Sequence, residues 1–325
     1  MRIGYGTYVT NPSYLDREVD AAAAAGFDAV LFSEHHGLTG YVPDPLAAAT
    51  YVLGRAPSLR AGPMPIVLPL HDPLAVAERA ALVDAVSGGR LRFGVAAGYL
   101  ARDFEQRGLD LDVRGDALEE GTDVLRRIWR GELGPFHGTH VRIPRQEPLV
   151  PPPQQPGGPP VWMAAGTPAG TRRAARVADG IVVDSVRPGA GVAELADRFQ
   201  QARVSGGHGP GTVAAMRRAW IGDADEVDRF VTNLQRELSS FATSAAGQSM
   251  PWFDAPGGGV SVDAVRARAA VGDGDEVVGQ LRTLGDQAGV EYLIVKLQWT
   301  SGADLEVLLD QLARWAPVCA ALHGG

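Results

Sequence analysis

One cysteine in 325 residues, Cys319, excludes an internal disulfide and any multi-cysteine metal site. No apolar run approaches the roughly 18 residues of a membrane-spanning helix, so no membrane insertion is expected. A surplus of positive charge is also missing. The formal net charge is -8, and binding to phosphate backbones needs concentrated positive charge, which argues against nucleic acid as the main partner. The first residues run straight into a strand pattern and not into a basic and apolar leader, so the expected compartment is the cytoplasm. What is left, 45% hydrophobic and 21% charged residues, is the composition of a globular chain long enough to bury a large core.

The stretch 27–36, FDAVLFSEHH, organises the rest. An apolar strand ends in a carboxylate and two imidazoles, Glu34, His35 and His36. Functional groups held at the carboxyl ends of rigid strands are the arrangement of α/β enzymes. By themselves the two histidines are compatible with metal binding, proton transfer or plain packing. Metal is the weakest of these readings, because adjacent residues on an extended segment point to opposite sides and no further ligand set with suitable spacing accompanies them.

Taken in order, the chain alternates. Strand patterns at 3–8, 27–32, 59–68, 91–95, 161–165, 181–183, 212–221 and 292–295 are separated by helical patterns, with Asp44-Pro45 as a cap and first-turn pair and Gly26 as a helix stop. The segment 135–144, PFHGTHVRIP, predicts a small hairpin. The Pro-rich run 148–160 reads as a loop within one domain, since the alternation resumes at once. Eight strands with helices between them predict one (β/α)8 TIM barrel over residues 1–325. The run 244–260, with Met250, Trp252, Phe253 and three consecutive glycines, is longer than ordinary connections and predicts an extended insertion, a lid before the last strand.

FSEHHGLTGYVPDPLAAATYVLG, AGPMPIVLPLHDPL, VDAVSGGRLRFGVAAGYLARDF and PVWMAAGTPAGTRRAARVADG, in this order, carry a resemblance to the bacterial luciferase-like flavin-dependent monooxygenases, closest to the luciferase subunits. The resemblance implies a (β/α)8 barrel, reduced flavin at the carboxyl ends of the strands, and a homodimer. It implies that His35 is the general base, with Glu34 and His36 in support. It places an unusual cis peptide against the flavin ring, here at Met64-Pro65. It assigns the flavin phosphate to the turn of Ala165, Gly166, Thr167, Gly170 and Thr171, where a helix N-terminus offers unsatisfied amides. Arg114 matches a second anchor once a gap is allowed, and Asp103 with Phe104 matches an acidic-aromatic pair near the flavin. Two positions depart from the luciferases: Ala96 and Ala97 stand where those carry a reactive cysteine and an arginine.

The function implied is that of a two-component monooxygenase. A separate flavin reductase supplies reduced FMN, and O2 and the flavin form a C4a-peroxyflavin that oxygenates a small organic substrate. Two alternatives stay open. One is an oxidoreductase using the deazaflavin coenzyme; the other is a non-catalytic flavin-binding protein, for which the missing arginine at Ala97 is the argument.

Overall fold

The computed structural model describes residues 1–243, 260–297 and 304–323. Strand β1 (Arg2–Thr7) leads to α1 (Leu15–Ala24), then β2 (Ala29–Phe32), α2 (Pro45–Arg55), β3 (Arg60–Pro63), β4 (Ile66–Val67), α3 (Pro73–Val86) and β5 (Phe93–Ala96). A short helix α4 (Ala101–Glu105), the long α5 (Arg114–Trp129) and the hairpin β6 (Phe136–His137) and β7 (Arg142–Ile143) follow. The alternation resumes with β8 (Val161–Ala164), α6 (Pro168–Val177), β9 (Gly180–Val183), α7 (Gly189–Ser205), β10 (Thr212–Ile221) and α8 (Ala224–Thr243). The last elements are α9 (Val262–Arg266), β11 (Ala269–Gly272), α10 (Gly274–Ala288), β12 (Tyr292–Lys296) and α11 (Leu305–His323).

The strands run β3-β2-β1-β12-β10-β9-β8-β5-β4, all paired in parallel. β3 and β4 are the halves of one interrupted strand, and the ring closes where Arg92 N donates to Ala61 O at 2.9 Å. The result is the expected barrel. Buried on both faces, β2 and β9 have no exposed residue, which is why such strands read as continuous apolar runs. Helix starts repeat one device: Asp44, Asp72 and Thr167 each cap a helix whose first residue is proline, accepting backbone N–H groups that would otherwise be unsatisfied.

The long β10 carries more than the alternation predicted. Its second half, Arg218–Ile221, pairs with β11, an extra strand that the small residues 269–272 did not announce. A subsidiary core of Trp220, Phe230, Leu234, Val265 and Val271 ties β11 and α9 to α8. Trp220 and Phe230 stack at 5.1 Å. This packing sets α8 over the carboxyl ends of the barrel strands. The expected lid at 244–260 lies outside the described residues except for Val260.

At the opposite end of the barrel, Asp28 accepts hydrogen bonds from Arg60 (2.9 Å), Arg92 (3.1 Å) and Tyr292 (2.8 Å). Burial works against the Asp28 charge, but Arg92, Tyr292 and Arg60 outweigh it and hold the carboxyl below its ordinary value. A carboxyl lowered in the folded state stabilises at pH values above its unfolded range and loses that contribution as pH falls through the folded value. Asp28→Asn is therefore expected to lose about 3 kcal/mol at pH 7, as for a buried pair that loses one partner. In denaturant titrations the gap to wild type should close in acid; a gap that is unchanged there would mean the carboxylate charge is not what stabilises.

Candidate functional site

A cavity of about 1490 Å³ opens at the carboxyl ends of the strands. His35, Tyr41 and Tyr99 pack together in its lining, which also includes Pro65, Val67, Ala97, Gly166, Thr167 and Gly170. Helix α8 contributes Glu237 and Phe241. The Met64-Pro65 bond is cis, with Met64 packed inside the barrel and Pro65 at the cavity.

Glu34, His35 and His36 separate into three jobs. Glu34 is 1% exposed and its carboxylate is fully engaged: it accepts from Val67 N at 2.6 Å and faces Nε2 of both His36 and His71 at 2.8 Å. It knits the end of β2 to β4 and to His71 beyond it, so it organises the wall. His36 does not line the cavity. Its Nε2 meets Glu34, Arg107 donates to its Nδ1 at 3.0 Å, and its carbonyl accepts from Arg102 at 2.6 Å. Only His35 presents its ring to the cavity.

That ring is held from several sides. Tyr41 and Tyr99 meet it edge-on at 4.4 and 5.2 Å. Tyr99 Oη is 3.1 Å from Nε2, while Nδ1 lies 3.8 Å from Asp103 Oδ2. This suits a proton on Nδ1 facing the carboxylate, with Nε2 accepting from Tyr99. Asp103 itself stands behind His35 and not at the cavity. Burial disfavours its charge, yet His35, His36 and Arg102 outweigh that and hold its carboxyl below the usual value. Phe104 is buried beside Val67 and Leu70.

The turn between β8 and α6 is shaped for an anion. Thr167 caps α6 and accepts from Gly170 N at 3.1 Å. A Cβ on Gly170 would lie 3.3 Å from Ala165 Cβ and from Thr167 Oγ1, so glycine keeps the turn open. Ala165, Gly166, Thr167 and Gly170 line the cavity; Thr171 does not, its hydroxyl donating to Thr167 O at 2.9 Å. Arg114 reaches the same wall, joined by Arg173, whose guanidinium packs so closely that a Cβ on Gly115 would fall 2.6 Å from its Nη2. Arg173 Nη2 donates to Asp116 at 3.1 Å, and its buried Nε lies 3.4 Å from Glu119 Oε2, an ion pair without hydrogen-bond geometry. The residues present therefore fit a phosphate: two guanidinium groups, a helix N-terminus and a cradle that any side chain at Gly170 would narrow.

Arg173, Tyr41, Tyr99 and His71 were not singled out in the sequence, because nothing local marks them; each comes from a different loop or helix. Lys296 was also missed, although it offered a signal: it is the one lysine of the chain and ends the last strand. Cys319 is buried, which pushes its thiol up to about 12 and keeps it inert. Among the described residues no group of histidine, cysteine and carboxylate side chains is arranged to hold a metal ion, and no described helix is long and apolar enough to cross a membrane.

A family model described as luciferase-like monooxygenase matches residues 2–292. The oxygenase component of a flavin-dependent trigonelline monooxygenase from Acinetobacter baylyi is 29% identical over 150 residues, 45% of this chain and 41% of that protein. The match thus spans less than half of that relative. Two solved structures share the fold. The oxygenating constituent of 3,6-diketocamphane monooxygenase from Pseudomonas putida, in complex with FMN, is similar with a TM-score of 0.75 at 17% identity, covering 97% of this chain and 96% of that one. An F420-dependent secondary alcohol dehydrogenase is similar with a TM-score of 0.80 at 16% identity, covering 98% of each.

Proposed function

Because the chain belongs to the luciferase-like monooxygenase family, we propose that it is the oxygenase component of a two-component system. It takes reduced FMN from a separate flavin reductase and uses O2 to oxygenate a small organic substrate. The observation that carries this reading is that one cavity is lined by Arg114, Arg173 and the Gly166-Thr167 helix-start turn as well as by His35. The relative from Acinetobacter baylyi, named as an oxygenase component, supports the reductase. A homodimer in the cytoplasm is part of the same reading.

Arg114, Arg173 and the Gly166-Thr167 turn would hold the FMN phosphate, and Pro65 with Val67 offers an apolar floor for the ring system. Reduced FMN, when bound, supplies the electrons and activates the oxygen. The chain's own residues exclude water, orient the substrate and move protons. His35 takes or gives a proton at Nε2, the nitrogen nearer Tyr99, while Asp103 fixes the tautomer from the other side as a positioning residue. Glu34 keeps the wall in place.

Titrating the purified protein with reduced FMN, oxidised FMN and the deazaflavin coenzyme, then admitting air, tests this. Preference for reduced FMN with substrate turnover in air supports it. Binding of deazaflavin alone, or no flavin affinity, overturns it. Arg173→Ala is expected to weaken FMN binding by about 10-fold or more, the loss of roughly 1.5 kcal/mol of charged hydrogen bonding. Unchanged affinity in a fluorescence titration would move the phosphate to another wall.

A further inference from the structure

Lys296 ends β12, three strand positions round the barrel from β8 and its anion-binding turn. It is 4% exposed and lines the cavity. Gly6 makes room for its stem: a Cβ there would lie 3.2 Å from Lys296 Cγ. The ammonium nitrogen sits 4.1 Å from the centre of the Tyr8 ring and 5.8 Å from that of Tyr41. Arg218, from β10, lies over the same Tyr8 ring at 5.0 Å and is paired with Glu237 of α8.

These contacts give the Lys296 ammonium no carboxylate partner among the described residues. Among the described residues Lys296 Nζ donates only to Ser33 Oγ, at 3.4 Å, and no ion pair to it is formed. Among the described residues the charged groups that act on Lys296 are Arg218 and Glu237, and Glu237 is already paired with Arg218. Aromatic faces replace part of the lost water, but an ammonium taken out of water without a counter-ion is strained in energy and tends to give up its proton. Burial, and then Arg218, lower the amine to about 7. A ligand that brought one negative group to Nζ would supply the missing counter-ion, restore the ammonium and take up a proton as it bound.

We propose that the substrate carries a carboxylate and that Lys296, with Ser33 beside it and Tyr8 and Tyr41 as its apolar walls, receives that carboxylate. The proposal rests on the monooxygenase reading and narrows it to small organic acids. The flavin's strongly anionic group has its own site at the β8 turn, so Lys296 is left for the second ligand.

The test uses flavin-free protein and a panel of benzoate, phenylacetate and hexanoate, each against its amide, by isothermal titration calorimetry at pH 6.5 and 8.5. At least one carboxylate should bind wild type about 10-fold or more tighter than its amide, with affinity falling roughly 20-fold between the two pH values as the free amine loses its proton. Lys296→Met and Lys296→Gln should erase the preference, and Lys296→Arg should keep it without the pH dependence. Because the chain has a single lysine, 13C-labelled lysine gives one Cε resonance, and its titration midpoint should rise when the carboxylate is added. No carboxylate preference in wild type overturns the proposal, as does a preference that survives in both neutral variants. Variants that lose FMN binding while keeping the carboxylate would assign Lys296 to the flavin. Failure of FMN to bind wild type counts against the monooxygenase reading only, since the carboxylate measurements contain no flavin.

Discussion

Replacing His35 by alanine is expected to lower substrate oxygenation by about 10²-fold or more, the usual scale for a lost general base, while leaving the fold nearly intact. The separation of the two effects follows from the wall's construction. Glu34 makes its three hydrogen bonds to Val67, His36 and His71 and none to His35. Removing the His35 ring therefore enlarges the cavity without unpairing the network that holds β2 to β4. FMN affinity should change little, because the turn and the two arginines proposed to hold the phosphate are untouched. Asp103→Asn should show a weaker version of the same pattern: a fall in kcat with KM and FMN affinity nearly unchanged, as expected of a residue that acts through His35. Steady-state turnover with saturating reduced FMN checks both. Wild-type turnover in His35→Ala would make the ring a packing residue and leave Tyr99 as the proton carrier to test next.

The second large effect falls on the fold. Gly62→Ala should abolish soluble, folded protein. A Cβ at that position would lie 1.6 Å from Arg92 O and 2.5 Å from Arg92 C. Both are backbone atoms at the place where β3 meets the start of β5 and the ring closes, so no side chain can turn aside. Separating the strands would break the closing hydrogen bonds and open the interior around Met64 and Leu91. A loss above about 4 kcal/mol is expected, in the exceptional range for a single substitution. The control is Gly54→Ala in α2, where a Cβ meets nothing within 4 Å and helix propensity predicts a gain of up to about 1 kcal/mol. Soluble yield and circular dichroism of the two variants read the difference; a folded Gly62→Ala with a normal melting curve would show that the barrel can close in another way.

Much of this was legible residue by residue. The run 29–32 announced a buried strand, Asp44-Pro45 announced a helix start, and the alternation of patterns announced eight barrel positions. Carboxyl ends of strands bring His35, Pro65, Gly166 and Thr167 to one cavity although they are spread over more than a hundred positions. The extra strand β11 was not legible, because Ala269-Ala270-Val271-Gly272 has little strand character of its own and is held by pairing with the second half of β10.

Within the site the division has a physical cause. Local sequence determines what depends on near neighbours: apolar period, caps, and which residues stand at a strand's end. It therefore named the Glu34-His35-His36 cluster and the Gly166-Thr167 turn. Only the closed barrel decides which way long or rotatable side chains face and which charges meet. It turned His36 and Asp103 away from the cavity, left His35 facing it, and brought Arg173 from α6 beside Arg114. It also set the chain's single lysine, Lys296, between Tyr8, Tyr41 and Arg218 with no carboxylate of its own among the described residues. That last contact joins four strands and loops far apart in the chain, and the energy of a buried charge is a property of all of them together.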